Sequence, residues 1–317
     1  MKEILVYLLL SFALSLLLCA LLIPLLRRLG AGQNILHYVK EHASKGGTPT
    51  MGGLAFILAA VTVALIFCGV KDKPFLVAVS VGLGYLVVGF LDDLLKKLRK
   101  ENLGLRPYQK IIFQFAVAII ASVYCCLNGL TVLYIPFTRL SFDIGWGMLP
   151  LGILVLIATV NSVNLTDGLD GLAASVSAVF FLALAILLNL QGTSTAMSGL
   201  CFCLTGALAA YLIFNTNRAS VFMGDTGSLS LGGFVACIAL FSGNALIIPI
   251  AGCMFVLSSI SVILQVIYYK KTGKRIFLMA PIHHHFQEKG YTEAKIAYAY
   301  SVITAVMGAL ILIPFAA

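Results

Sequence analysis

Residues 4–26 read ILVYLLLSFALSLLLCALLIPLL, 23 positions without one charged side chain. A bilayer core about 30 Å thick is crossed by a helix of roughly 20 apolar residues, so this stretch is long enough to span it. It exceeds the roughly 7–15-residue core of a secretory signal, and no convincing cleavage site follows, which makes it a retained first span. Nine further apolar runs lie at 52–70, 75–95, 109–128, 147–163, 171–190, 196–214, 228–243, 245–269 and 295–315. The expectation is an all-α polytopic membrane protein of about ten transmembrane helices, one domain over 1–317. The whole chain agrees: 61% of residues are hydrophobic and 10% charged, with mean hydropathy +1.04, against about 45–50% and 25% in a soluble domain. A water-soluble globular protein is excluded, and the long runs lack the alternation of a membrane β-barrel.

The chain carries 21 Lys+Arg and 12 Asp+Glu, net +9. In a membrane protein this surplus is read as topology, not as a nucleic-acid partner. All but Lys2, Lys71, Lys73 and Arg139 fall in or beside the loops after the odd-numbered spans. The positive-inside rule then puts those loops in the cytoplasm and both termini outside. Across the membrane, 131–145 (TVLYIPFTRLSFDIG) has β-branched and aromatic residues around Thr138-Arg139 and predicts a short external β-hairpin with a structural role. The eight Cys sit in or beside apolar runs without zinc or redox spacing and act as small hydrophobes. Pro249, Gly243 and Gly252 make the start of the ninth span the place for a bend.

Ionisable groups at membrane depth are costly and functional by default, and here they gather in five segments on the predicted cytoplasmic side. GFLDDLLKKLRK (89–100) ends the third span with Asp92 and Asp93, each one turn from Lys96 or Lys97. Neighbouring helical positions diverge by about 100°, so one aspartate faces a site while the other supports it. NSVNLTDGLDGLAA (161–174) puts Asp167 and Asp170 on one helical face, with glycines that let a ligand approach the backbone and Asn161, Asn164 and Thr166 as neutral polar groups. NTNRASVFMGDTGS (215–228) holds Asp225 in a Gly-flanked turn before the eighth span, as a Mg²⁺ ligand or as a helix N-cap. APIHHHFQEKG (280–290) lacks metal-ligand spacing; one or two of His283, His284 and His285 donate to phosphate while the rest pack. KGGTPTMGG (45–53) forms a tight, hydroxyl-bearing entry loop with Lys45, suited to anions near a helix start. Acids, bases and glycine loops at one headgroup level point to phosphoryl transfer between a water-soluble donor and a lipid acceptor. A transporter would spread its polar groups through the membrane depth instead.

Taken in order, TPTMGG (48–53), FLDD (90–93), NSVNLTDGLDGL (161–172), FMGDTGSLSLGG (222–233) and RIFLMAPIHHHF (275–286) resemble the phospho-N-acetylmuramoyl-pentapeptide transferase family of the polyprenyl-phosphate N-acetylhexosamine-1-phosphate transferase superfamily. The APIHHHF form is closer to this branch than to the one using UDP-N-acetylglucosamine. The resemblance implies transfer of phospho-MurNAc-pentapeptide from UDP-MurNAc-pentapeptide to undecaprenyl phosphate, giving lipid I and UMP with Mg²⁺, by a homodimer in the bacterial cytoplasmic membrane. It implies an acidic core of Asp92, Asp93 and Asp225, with Asp225 on Mg²⁺ and His283 near the phosphates. Asn161, Asp167, Gly168, Leu169, Asp170, Asn215, Phe222 (stacked on uracil), Gln265 and His284 would serve the nucleotide-sugar. Lys45, Thr50 and Lys96 would complete the phosphate pocket. Two positions depart from the family pattern: Ser258 in FVLSSISVILQV (255–266) and Gln287 after the histidines each stand where Glu is usual.

Overall fold

A computed structural model describes residues 2–30, 47–99, 103–216 and 218–315. The helices are α1 (Lys2–Arg28), α2 (Gly53–Phe67), α3 (Lys73–Arg99), α4 (Pro107–Leu127), α5 (Met148–Thr166), α6 (Leu172–Gln191), α7 (Thr195–Asn215), α8 (Gly224–Phe241), α9 (Ile248–Ala251), α10 (Cys253–Thr272), α11 (Ile282–Glu288) and α12 (Glu293–Leu312). Among the described residues nine are long and apolar enough to cross a membrane. The expected second span, 52–70, is the shorter α2, whose 15 residues reach only about 22 Å at 1.5 Å per residue. The expected ninth span breaks where the sequence suggested: a 3₁₀ turn (Ala245–Ile247) and the single-turn α9, with Pro249, precede Gly252 and α10.

The centre of the bundle is α8, buried without interruption from Thr226 to Phe241. Its small residues make this possible, because helices in lipid associate through close packing and not through hydrophobic exclusion. Gly232 takes the backbone of Val160 from α5, and Gly233 takes the ring of Tyr85 from α3. Buried hydroxyls tie helices together: Ser230 donates to Gly82 O at 2.9 Å and Ser15 to Ala207 O at 2.8 Å. Outward-facing Leu and Ile side chains on α1, α4, α10 and α12 stay exposed, as a lipid-facing surface requires. All eight Cys are free thiols.

The hairpin is present: β1 (Val132–Tyr134) pairs antiparallel with β2 (Ser141–Asp143), Leu133 opposite Phe142. Tyr134 N–H donates to Gly243 O at 2.8 Å, which fixes the hairpin to the C-terminal end of α8. Arg139 Nε donates to Pro314 O at 2.7 Å, and Tyr7 of α1 reaches Phe67 O at the end of α2. The start of α1, the end of α12 and the hairpin therefore share one end of the bundle. Asp225 lies in the first turn of α8, at the opposite end.

Candidate active site

Gly224 carries a φ of +68° and turns the chain into α8, where a side chain would collide with Asp93 and Thr50. Asp225 is thus inside the helix, a correction to the turn expected before it, and the expected N-cap role falls elsewhere. The cap is Asp93 of α3: it accepts from Asp225 N–H at 3.3 Å, Thr226 N–H at 2.9 Å and the Thr226 hydroxyl at 2.7 Å. An anion at a helix N-terminus is favoured by the unpaired N–H groups and the macrodipole. Gly89 lets α3 approach the Asp225 backbone where any Cβ would clash. Phe222 and Met223 accept from Gly52 and Gly53 N–H, and Phe222 N–H donates to Pro49 O. The TPTMGG loop is thereby held beside the start of α8, and Thr50 with it.

The carboxylates of Asp92, Asp93 and Asp225 offer oxygens within 4.8 Å of one another. Lys96 sits among them, 2.6 Å from Asp92 Oδ2, 3.7 Å from Asp93 Oδ1 and 2.7 Å from Asp225 Oδ2. The expected Asp92–Lys96 pair forms; an Asp93–Lys97 pair is absent among the described residues, because Asp93 turns to cap α8. Leu105 N–H closes over Asp92 Oδ1 at 2.8 Å.

Lys110 had no site role in the sequence reading, and Asn164 was read there only as a neutral polar group of its segment. Lys110, in the first turn of α4, places its ammonium 2.9 Å from Asp225 Oδ2. Asn164 donates to Asp225 Oδ1 at 2.7 Å and Ser228 Oγ at 2.8 Å. A lysine directly after the Pro107 helix start, at the same membrane level as the aspartates, was the available signal for the first. Asn161 does not reach the carboxylates: it pairs with Gln114 of α4 at 2.8 Å.

The remaining expected residues differ in what surrounds them. Asp167 is half-buried, and burial together with Asp225, Asp93 and Asp170 raises its carboxyl well above the usual range. Gly168 lies against the His283 and His284 rings. His283 is fully buried, and neither ring nitrogen has a hydrogen-bond partner. Burial, and then His284, lowers its pKa to about 3, so it is a neutral imidazole. Such an orphan is costly unless a ligand supplies its partner. Leu169 is buried in the core. Asp170 accepts from Ala219 N–H at 2.9 Å, and Asn215 bridges Gly171 N–H and Val221 O. Gln265 accepts from Ile276 and Phe277 N–H and donates to Phe277 O, so it pins the 273–281 loop. Phe222 is half-buried at the head of α8. Lys45 lies outside the described residues.

The cluster's chemistry fits a hard divalent cation. Carboxylate oxygens are its preferred ligands, and three carboxylates against two ammoniums leave a net charge of −1 that would repel a phosphate until further positive charge joins.

A family model for Glycosyl transferase family 4 matches residues 75–243, and one for phospho-N-acetylmuramoyl-pentapeptide-transferase signature 1 matches 45–57. Proteins named phospho-N-acetylmuramoyl-pentapeptide-transferase are similar along nearly the whole chain. The one from Caldanaerobacter subterraneus subsp. tengcongensis is 43% identical over 302 residues, covering 93% of each chain. That of Bacillus subtilis is 42% identical over 317 residues, 97% of each, and that of Shouchella clausii 43% over 314, 96% of each. With the acidic cluster at the end of an apolar bundle and relatives of this identity over this length, the chain belongs to the phospho-N-acetylmuramoyl-pentapeptide-transferase family.

Proposed function

We propose that this protein transfers phospho-MurNAc-pentapeptide from UDP-MurNAc-pentapeptide to undecaprenyl phosphate, releasing UMP and forming lipid I for peptidoglycan. The observation that carries this reading is the three-carboxylate, two-lysine cluster at one end of the bundle, where a soluble nucleotide and a membrane lipid can meet.

A phosphate monoester has a second pKa of about 6 and is largely ionised at neutral pH, so the acceptor needs little help from a base. Charge and position then dominate. Lys96 and Lys110 draw the phosphates towards Asp225. Asn164 holds the Asp225 carboxylate in orientation. Asp93 fixes the first turn of α8, and neutral His283 offers an N–H without adding charge. The acceptor oxygen attacks the donor's β-phosphate in line, and UMP leaves. The alternative, a phosphoryl-aspartate on Asp92 or Asp93, is disfavoured for Asp93 because its carboxylate is already engaged by three donors. We assign the divalent cation as Mg²⁺, held by Asp225 with support from Asp92; when bound it neutralises charge developing on the phosphate oxygens.

The Lys/Arg excess of the loops at this end supports a cytoplasmic active site, with the hairpin outside. Family resemblance supports a homodimer. Polar groups concentrated at one end disfavour transport.

The test is UMP release by detergent-purified protein given undecaprenyl phosphate, Mg²⁺ and either UDP-MurNAc-pentapeptide or UDP-N-acetylglucosamine. Release with the muramoyl donor alone, lost in Asp225→Asn and with chelator, is expected. Release with the other donor moves the protein to the sister branch, and release from neither overturns the reading.

A further inference from the structure

The hairpin between α4 and α5 has one apolar face. In an antiparallel ladder, residues directly opposite one another share a face, and so do alternate residues along each strand. Leu133 pairs with Phe142, and the ladder continues with Ile135 N–H donating to Leu140 O at 2.9 Å. Leu133, Ile135, Leu140 and Phe142 therefore lie together, while Ser141 and Asp143 belong to the other face with Tyr134. The Tyr134 N–H points away from β2, to Gly243 O, so β1 is the strand beside the end of α8 and β2 is the outer one. Burial follows that order. Leu133 is 3% exposed, whereas Phe142 is 45% and Leu140 65% exposed, and every residue of β2 is exposed. Phe137 at the tip and Trp146 shortly after β2 are exposed too. A two-stranded hairpin is marginal in water unless its apolar face is packed; here the bundle covers that face at Leu133 and leaves Leu140 and Phe142 out.

The level of this patch along the bundle points to what covers the rest. Arg139 near the tip donates to Pro314 O at 2.7 Å, at the end of the apolar segment Glu293–Phe315, and Trp146 stands at the start of the apolar segment Gly145–Thr166. Both segments are long enough to cross a membrane, so the patch lies where two spans leave the hydrocarbon. Exposed side chains continue it into the lipid-facing surface: Leu154 is about two turns along α5 from Trp146, and Leu310 and Ile313 lie beside Pro314. Tryptophan and other amphipathic rings favour the headgroup level of a bilayer.

We propose that the apolar face of the hairpin, with Phe137 and Trp146, is seated in the headgroup–acyl boundary of the leaflet at the end of the bundle opposite the acidic cluster, with Ser141 and Asp143 left in water. The partner is the phospholipid itself, whose acyl segments next to the glycerol pack on Leu140 and the rings. The hairpin is then an interfacial anchor, and through Tyr134 and Arg139 it ties the ends of α8 and of the α12 segment to the membrane surface. This seating is independent of the chemistry at the other end.

Trp146 is the single tryptophan of the chain, so its fluorescence reports this site alone. The purified protein is placed in phospholipid vesicles whose acyl chains carry bromine either next to the glycerol or near the chain ends, and acrylamide is added from the water. Trp146 should lose most emission to the bromines next to the glycerol, less to those at the chain ends and little to acrylamide. Two further proteins move the reporter to neighbouring positions on opposite faces of β2: Trp146→Phe with Phe142→Trp, and Trp146→Phe with Ser141→Trp. The first should be quenched by the brominated lipid and the second by acrylamide. Strong acrylamide quenching of Trp146 without lipid quenching places the patch in water and overturns the proposal. Protection from both quenchers means that protein, such as a second copy of this chain, covers it, and overturns the proposal equally. The same quenching pattern at positions 141 and 142 overturns the amphipathic seating, whatever Trp146 shows.

Discussion

Replacing Asp93 by asparagine separates holding the site together from acting in it. The Asp93 carboxylate is 3% exposed and receives three donors from the first turn of α8, at 3.3, 2.9 and 2.7 Å. The asparagine oxygen can keep both Thr226 bonds. Its NH₂ then meets the Asp225 N–H, donor against donor, and the anion at the helix start is lost. Two ammoniums (Lys96, Lys110) and two carboxylates (Asp92, Asp225) surround the position, so the longer-range Coulomb contributions largely cancel and the cap decides. A buried N–H left unpaired costs about 1–3 kcal/mol, and a charge at a partly buried helix terminus contributes up to about 2 kcal/mol. A loss of about 2–4 kcal/mol follows for Asp93→Asn, and about 1–3 kcal/mol for Thr226→Val, which leaves the carboxylate one donor short. Asp92→Asn should cost much less, because its partners are a partly exposed Lys96 and a single N–H. All three substitutions should depress UMP release, so activity does not discriminate. Thermal unfolding of the purified proteins at one scan rate does: midpoints should rank Asp93→Asn lowest, then Thr226→Val, with Asp92→Asn near the parent. An Asp93→Asn midpoint equal to the parent's, or an Asp92→Asn midpoint below it, refutes the reasoning.

Lys110→Met removes one of the two ammoniums on Asp225 Oδ2; kcat/KM for the nucleotide-sugar should fall on the order of 100-fold while thermal stability changes little, and a fall under threefold would place Lys110 outside the machinery. Gly89→Ala drives a methyl into the Asp225 backbone and should cost about 1–3 kcal/mol through overpacking, visible as a lower unfolding midpoint together with lost UMP release; an unchanged midpoint would contradict the close approach of α3 and α8. His283 has a folded pKa of about 3 against an ordinary value near 6.5. The unfolded chain therefore takes up the proton first, so the stability conferred by the neutral ring is full above about pH 6.5 and is lost progressively as pH falls towards 3. A midpoint-against-pH curve should show this slope in the parent and a flatter one in His283→Gln; parallel curves would exclude the buried neutral imidazole.

The apolar runs declare the spans because every side chain in a membrane helix answers to the same hydrocarbon, and a run of 23 uncharged residues at 4–26 has few other uses. Interactions within a turn are equally local: the Asp92–Lys96 pair and the break around Pro249 and Gly252 follow from spacing of three to five residues. The identity of the carboxylates and histidines was legible too, since polar groups are conspicuous in so apolar a chain. Their partners were not. Asp225 meets Lys96, Lys110 and Asn164 across 129, 115 and 61 residues, and Asp93 caps α8 across 133. Helical spacing says which face a side chain is on, and only the packing of α3, α4 and α5 around the buried α8 says which neighbour it faces. For that reason Asn161 and Asn164, three residues apart in one motif, divide between a structural pair with Gln114 and a bond to Asp225, and Gln265 serves the 273–281 loop. Gly89, Gly232 and Gly233 look like ordinary membrane-helix glycines until α8 is placed against them. The depth of that contact, and with it the spacing of the three carboxylates, belongs to the tertiary structure because it is set by which small residues meet.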